Sequence, residues 1–306
     1  MGVIMKISAI DIGTNSIRQL ICRINDDKTL IKLRKEAHIT RLGEGISKTE
    51  KLSTNAINRS IEVIDKYITD AKDENVDVIY AFATSAVRDA KNKEALFTQI
   101  KSKGIDIDVI DGDKESLYGY IGAIKGVNKN KALVLDIGGG STEIAYKTDY
   151  FVKESFDIGS VRLTEDFIKN DPPISDEYDE IRLHIIDMLI NSIDQYATAE
   201  NIIGIGGTIT TISAISQGLV IYDPDKVHGY ELKRDEIKRV LDYLMSVNLE
   251  ERKRIPGLQP ERADIIIAGT IILLTILEML NLKSITVSEW DNLEGSVIYN
   301  FAGEDA

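Results

Sequence analysis

One cysteine, Cys22, is present in the 306 residues. A lone thiol excludes an intrachain disulfide, a Cys-based zinc site and a CxxC redox pair, and such sparing use of cysteine fits a reducing, cytoplasmic location. Histidine is nearly as scarce. His38, His184 and His228 lie far apart in the sequence and form neither a metal pair nor a Ser-His-Asp pattern, so each reads as structural or surface. Only 5 prolines occur, with 43% hydrophobic and 28% charged residues, which excludes a collagenous or extensively disordered chain. Cations are in deficit: 37 Lys and Arg against 50 Asp and Glu leave a net charge of −13. That balance repels polyanions at long range, so DNA and RNA are not expected partners and any anionic ligand has to be gripped locally. Long apolar runs are missing too. The longest, residues 265–282, contains Glu278 and Asn281 and falls short of the ~20 apolar residues that a bilayer crossing needs. It reads as a buried helix, and no membrane partner is expected. The N-terminus lacks the basic start and long apolar core of a signal peptide.

The length corresponds to about two domains. Residues 7–10 read as a strand, 11–15 as a turn and 16–24 as its return, a β-hairpin. Ile57, Ile61, Ile64, Ile68 and Ala71 step by three and four behind the N-cap candidates Ser53 and Thr54, the pattern of an amphipathic helix. A strand at 76–83, a helix near 92–102, a strand at 105–110 and a helix starting near Glu115 follow, an alternation that predicts an α/β domain with a largely parallel sheet. Residues 132–146 then repeat the opening. Val134-Leu135-Asp136-Ile137-Gly138 aligns with Ala9-Ile10-Asp11-Ile12-Gly13, 125 residues earlier. Two similar hairpins imply two similar domains, 1–126 and 127–306, divided at the Gly, Asn and Lys cluster of 126–131, with residues 298–306 packing back on the first. A helix from Ser175 to about Thr198, a strand at 202–205 and a Gly206-Gly207-Thr208 turn into another helix complete the pattern.

The two Asp-x-Gly hairpins are the chemical signal. Small residues after the aspartate let the N–H groups of a tight turn approach a phosphate closely. Thr14, Asn15 and Ser16 add donors in the first turn, and Gly139, Gly140, Ser141 and Thr142 do so in the second. One hairpin alone would be an ordinary turn; a pair at this spacing, each opening a domain, favours a shared anion. Arg18 aligns with Glu143, so one half offers an always-charged planar donor and the other, with Asp136, the hard oxygens that Mg²⁺ prefers. The Gly206-Gly207-Thr208 turn could face an anion with its helix N-terminus, but Ile209 stands where a dinucleotide fingerprint needs its last glycine. No Gly-x-x-x-x-Gly-Lys-Ser/Thr occurs, which removes the P-loop enzymes. Asp106, Asp108 and Asp111 suggest a calcium loop, but the spacing is one residue too long and the bidentate Glu is missing. Glu115 follows a strand end, where an α/β sheet places its ligand crevice; the plainer reading is a carboxylate favoured at a helix start. Arg88 also follows a strand, and Arg262 belongs to a local basic patch with Arg252, Lys253 and Arg254.

The ordered segments AIDIGTNSIR, RLGEG, ATSAVRDA, VIDGDKES, LVLDIGGGSTEI, IGSVRLTE, GIGGTITT, ERKRIPGLQPERADIIIAG and VSEW run through nearly the whole chain. Together they resemble the exopolyphosphatase and guanosine pentaphosphate phosphohydrolase (Ppx/GppA) family, within the superfamily of actin, sugar kinases and heat-shock chaperones. The resemblance implies an α/β fold of two ribonuclease-H-like (actin-like ATPase) domains with an interdomain cleft, and hydrolysis of the terminal phosphoanhydride of polyphosphate or guanosine pentaphosphate. It makes Glu115 the general base, places Asp136 and Glu143, and less surely Asp11, around Mg²⁺, and puts Arg18, Arg88 and Arg262 near phosphate. The turns around Asn15, Gly139 and Gly207, with Thr208, become phosphate contacts. Mn²⁺ as a substitute, a monovalent cation and a homodimer belong to the same expectation. Alternatives are a non-catalytic alarmone-binding regulator and a kinase of the same superfamily. This chain departs from the family pattern at Ser116 (for Ala), at Lys114 (where an acid is common) and at Asp291-Asn292-Leu293 (for Gly-Leu-Arg).

Overall fold

The computed structural model describes residues 5–129 and 131–303. The described residues form two compact units: those up to Gly122 together with those from Asp291 onward, and Ala123–Trp290. Division points of 126 and 298 were expected from the sequence. The first crossing comes earlier because one helix, Gly112–Val127, runs through the Gly126 signal without breaking. The second comes earlier because the Asn292–Val297 helix already packs on the first two strands of the chain.

The first unit is a five-stranded mixed sheet. Strands β1 (Met5–Ile12), β2 (Ser16–Ile24) and β3 (Leu30–Ile39) form an antiparallel meander, and β4 (Val78–Ala83) and β5 (Ile107–Val109) extend the sheet parallel to β1, in the order β3-β2-β1-β4-β5. The largely parallel sheet expected from strand–helix alternation is therefore only half right: β3, whose edge position leaves it mostly polar, carries too little apolar alternation to be read as a strand. The helix Thr54–Asp73 starts where the Ser53 hydroxyl accepts the Ala56 N–H at 3.1 Å. It buries Ile57, Ile61, Ile64, Tyr67 and Ile68 in the core of this unit, each worth roughly 1.5–3 kcal/mol of apolar burial.

The second unit repeats the plan. Strands β6 (Leu133–Ile137), β7 (Thr142–Lys147) and β8 (Phe151–Phe156) form the meander, and β9 (Ile202–Ile205) lies parallel to β6. Then β11 (Ser284–Val287) lies parallel to β9, and β10 (Glu231–Lys233) is added antiparallel at the edge. Its core is built around the helix Ile266–Met279, which is buried from Ile266 to Leu277 because the helices Ser160–Phe167, Ser175–Leu189, Gly206–Ser216 and Arg234–Ser246 surround it. Enclosure on all sides explains why it has no polar face. Among the described residues no helix is long and apolar enough to cross a membrane. The helix expected to continue from Ser175 to about Thr198 ends at Leu189 and resumes as a short 3₁₀ turn, Ile193–Tyr196.

Candidate active site

In the first unit the parallel strands β1, β4 and β5 end together, with Ile12 opposite Ala83 and Ala83 opposite Val109. The first turn, Arg88 and Glu115 all follow these C-terminal ends, where open α/β sheets bind ligands.

The turn is tied down by its carbonyls. Gly13 N–H donates to Ser16 O at 3.1 Å, Gly43 N–H to Thr14 O at 2.8 Å, and the N–H groups of Thr40 and Arg41 to Asn15 O at 3.0 and 2.9 Å. Gly43 is required here, since a Cβ at that position would collide with the Thr14 methyl. Thr14 and Asn15 are buried. The Asn15 amide nitrogen is fully enclosed and has no hydrogen-bond partner. A buried orphan donor costs about 1–3 kcal/mol unless something accepts from it, so an acceptor reaching this nitrogen would be stabilising.

Glu115 sits in the first turn of the Gly112–Val127 helix and is 7% exposed. That helix begins where Asp111 accepts the Lys114 N–H at 2.8 Å with its side chain, an N-cap arrangement. Arg88, in the short Ser85–Asp89 helix after β4, donates through Nη1 to Glu115 Oε2 and to the Ile110 carbonyl, both at 3.2 Å. The remaining aspartates of this stretch make no calcium loop: Asp108 accepts from Lys114 Nζ at 2.7 Å and from the Tyr80 hydroxyl at 3.0 Å.

Arg18 stands opposite Asp11 in the β1–β2 register. Its Nε donates to Asp11 Oδ2 at 3.0 Å, Nη2 reaches the same oxygen, and Nη1 donates to Asp291 Oδ2 at 2.7 Å. Burial pushes the Asp11 carboxyl above its usual range, against the pull of Arg18. Asp11 Oδ1 is buried without a partner.

The second turn has the same construction. Gly138 N–H donates to Ser141 O at 3.0 Å, and the N–H groups of Ser160 and Val161 donate to the carbonyls of Gly138 and Gly139 at 3.0 and 2.8 Å. Arg162 Nε donates to Gly140 O at 2.9 Å. Gly159 packs so closely on the Gly139–Gly140 backbone that any Cβ would overlap it. Ser141 and Thr142 are buried, and the Thr142 hydroxyl donates to the Ile158 carbonyl at 2.5 Å. Asp136 and Glu143 are directly opposed across β6 and β7 and both buried, and Glu143 Oε1 accepts from the Ser155 hydroxyl at 2.6 Å.

The third glycine turn opens the Gly206–Ser216 helix after β9. Gly206 has φ +86°, and a side chain there would meet the Asp136 carboxylate; one at Gly207 would meet the Arg262 guanidinium. Arg262 is oriented by Nε donation to Gln259 Oε1 at 3.0 Å. Asp136, Arg262 and the N-terminus of this helix, with the buried Thr208, are thus brought together within the second unit.

Mg²⁺ is held by one or two carboxylates together with waters and substrate phosphates rather than by a protein cage. The Asp136–Glu143 pair fits that requirement, and so does the orphaned Asp11 Oδ1 in the first unit. Among the described residues no three His, Cys, Asp or Glu side chains gather as a metal cage. Residue-by-residue reading missed the supports: Gly43 and Gly159 beneath the turns, Asp111 at the helix start, and Asp291 and Lys35 around Arg18. Gly43 and Gly159 lie in the RLGEG and IGSVRLTE segments, a local signal that does not show which backbone each one packs against. The three histidines take structural partners: His38 Nδ1 pairs with the Tyr67 hydroxyl at 2.8 Å, His228 Nε2 with Gly126 O at 3.0 Å, and His184 stacks near Phe167.

Comparison with known proteins gives a match to the model of the Ppx/GppA phosphatase family over residues 20–303. A bifunctional 3-dehydroquinate synthase/phosphatase of Fusobacterium nucleatum is 35% identical over 95% of the chain, which spans only 46% of that relative's length. Exopolyphosphatase 2 of Mycobacterium tuberculosis is 30% identical, covering 95% of this chain and 97% of that protein. The crystal structure of the Aquifex aeolicus Ppx/GppA family member superposes with a TM-score of 0.83 at 32% identity, covering 99% and 100% of the two chains.

Proposed function

The chain belongs to the Ppx/GppA phosphatase family, and from that premise we propose that it is an exopolyphosphatase, releasing terminal orthophosphate from inorganic polyphosphate by hydrolysis of a phosphoanhydride bond. The observation that carries this reading is Glu115, buried at the C-terminal end of the parallel strands with one carboxylate oxygen held by Arg88. A carboxylate fixed there would take a proton from an attacking water. The rest of the work in phosphoryl transfer is positioning and charge neutralisation. Asn15 Nδ2, with Thr14 and Ser16, would donate to phosphate oxygens in the first unit; Gly139, Gly140, Ser141 and Thr142 in the second turn, Gly207, Thr208 and Arg262 would do so in the second. Arg18 and Arg88 add positive charge.

Asp136 and Glu143 would hold Mg²⁺, which when bound neutralises charge on the phosphates, and Asp11 offers a further carboxylate in the first unit. Mn²⁺ and a monovalent cation belong to this proposal, as do a cytoplasmic location and a homodimer. Malachite-green measurement of phosphate release from long-chain polyphosphate, with Glu115→Gln as control, tests the reading; a variant as active as the parent would sink the mechanism. The family name joins two activities, so guanosine pentaphosphate 5′-phosphohydrolysis is the second reading, separated from the first by parallel rates on both substrates. Tight alarmone binding without phosphate release from either would instead make the chain a nucleotide-binding regulator.

A further inference from the structure

We propose that Asp291 is a positioning residue that acts through Arg18, fixing its guanidinium at the exit of the first turn; this rests on reading that turn as a phosphate cradle. Arg18 is gripped from two sides. Asp11 Oδ2 accepts from Nε at 3.0 Å and also from Nη2, and Asp291 Oδ2 accepts from Nη1 at 2.7 Å. A planar fork held at both ends has given up its rotamer freedom before a ligand arrives, and aligned groups of that kind are what positioning requires.

Asp291 is itself held. Lys35 Nζ donates to its Oδ2 at 3.1 Å and to Glu294 Oε2 at 2.9 Å, and the Asp291 N–H donates to Glu294 Oε2 at 3.0 Å. Acidic and basic groups therefore alternate along Asp11, Arg18, Asp291, Lys35 and Glu294, with Asp11, Asp291 and Glu294 all less than 7% exposed. The other Asp291 oxygen, Oδ1, accepts the Leu293 N–H at 2.9 Å and caps the Asn292–Val297 helix. Capping alone would be served equally well by asparagine. The negative charge is needed only on the side that faces Arg18 and Lys35, whose attraction outweighs burial and keeps this carboxyl at about 2.

The test is a double-mutant cycle of Asp291→Asn and Arg18→Gln, with Asp291→Ser as a second variant that also keeps a capping oxygen. We expect Asp291→Asn to raise KM for tripolyphosphate about tenfold with kcat within about twofold, and to add nothing to KM in the Arg18→Gln background, beyond the loss of stability that removing its charge brings near neutral pH. Additive effects, a fall in stability with unchanged KM, or an Arg18→Gln variant with parental KM would each overturn the proposal. Should the parent protein hydrolyse neither substrate, the functional reading fails by itself. The cycle is then read as the Kd for tripolyphosphate by calorimetry, where non-additivity supports the proposal and additivity removes it.

Discussion

Arg88 Nη1 lies 3.2 Å from Glu115 Oε2 and 3.2 Å from the carbonyl of Ile110, so one guanidinium ties the carboxylate to the strand end that precedes its helix. Glu115→Gln preserves the shape and removes the proposed base. It is expected to lower kcat by roughly 10²–10⁴-fold with the fold unchanged by circular dichroism. Arg88→Gln, which keeps Glu115 but removes its contact with the guanidinium, is expected to lose less in kcat and to raise KM, as steady-state phosphate release will show.

Gly207 faces the Arg262 guanidinium, so Gly207→Ala should displace that side chain and raise KM for polyphosphate, although alanine favours the helix by up to about 1 kcal/mol. In an Arg262→Ala background the same change should cost nothing further. Gly206→Ala is the contrasting case. Its φ of +86° and the adjacent Asp136 carboxylate make it destabilising by more than about 1 kcal/mol, seen as a lower urea midpoint.

Asp291 sets a pH dependence. Its folded value of about 2 lies below its ordinary value of 3.8. The stability it contributes is therefore present above the ordinary value and lost as pH falls through the folded one. The contribution is about 2 kcal/mol. Urea titrations at pH 7, 4, 3 and 2 should show the stability gap between the parent and Asp291→Asn closing between about pH 4 and pH 2. A gap that stays constant over that window would refute the assignment.

Asp136 and Glu143 are neighbours across β6 and β7, and Glu143→Gln removes half of the charge there. Calorimetric titration of Mg²⁺ into protein with tripolyphosphate should show affinity weakened about tenfold or more, and excess EDTA should abolish turnover.

The hairpins, the repeat 125 residues apart and the helix Thr54–Asp73 were legible in the sequence because each is a local pattern: small residues in a turn, or apolar residues at a fixed period. The Arg18–Glu143 alignment was legible for the same reason, and the register indeed places Arg18 opposite Asp11 and Glu143 opposite Asp136. The edge strand β3 was not, because one exposed edge and a bulge at Leu33, opposite Ile21 and Cys22 of β2, blur its alternation. Nor was the pairing of Arg18 with Asp291, since 273 residues separate them and no local pattern encodes a partner at that distance.

The first unit takes its strands from the chain before the second unit and its Asn292–Val297 helix from the chain after it. On the ribosome strands β1 and β2 must therefore wait, with Arg18 held by Asp11 alone and Lys35 without Asp291 and Glu294, until the whole second unit has emerged. The half synthesised first is the half completed last, and native-state hydrogen exchange should find the seam between the Asn292–Val297 helix and strands β1 and β2 opening in a single cooperative step.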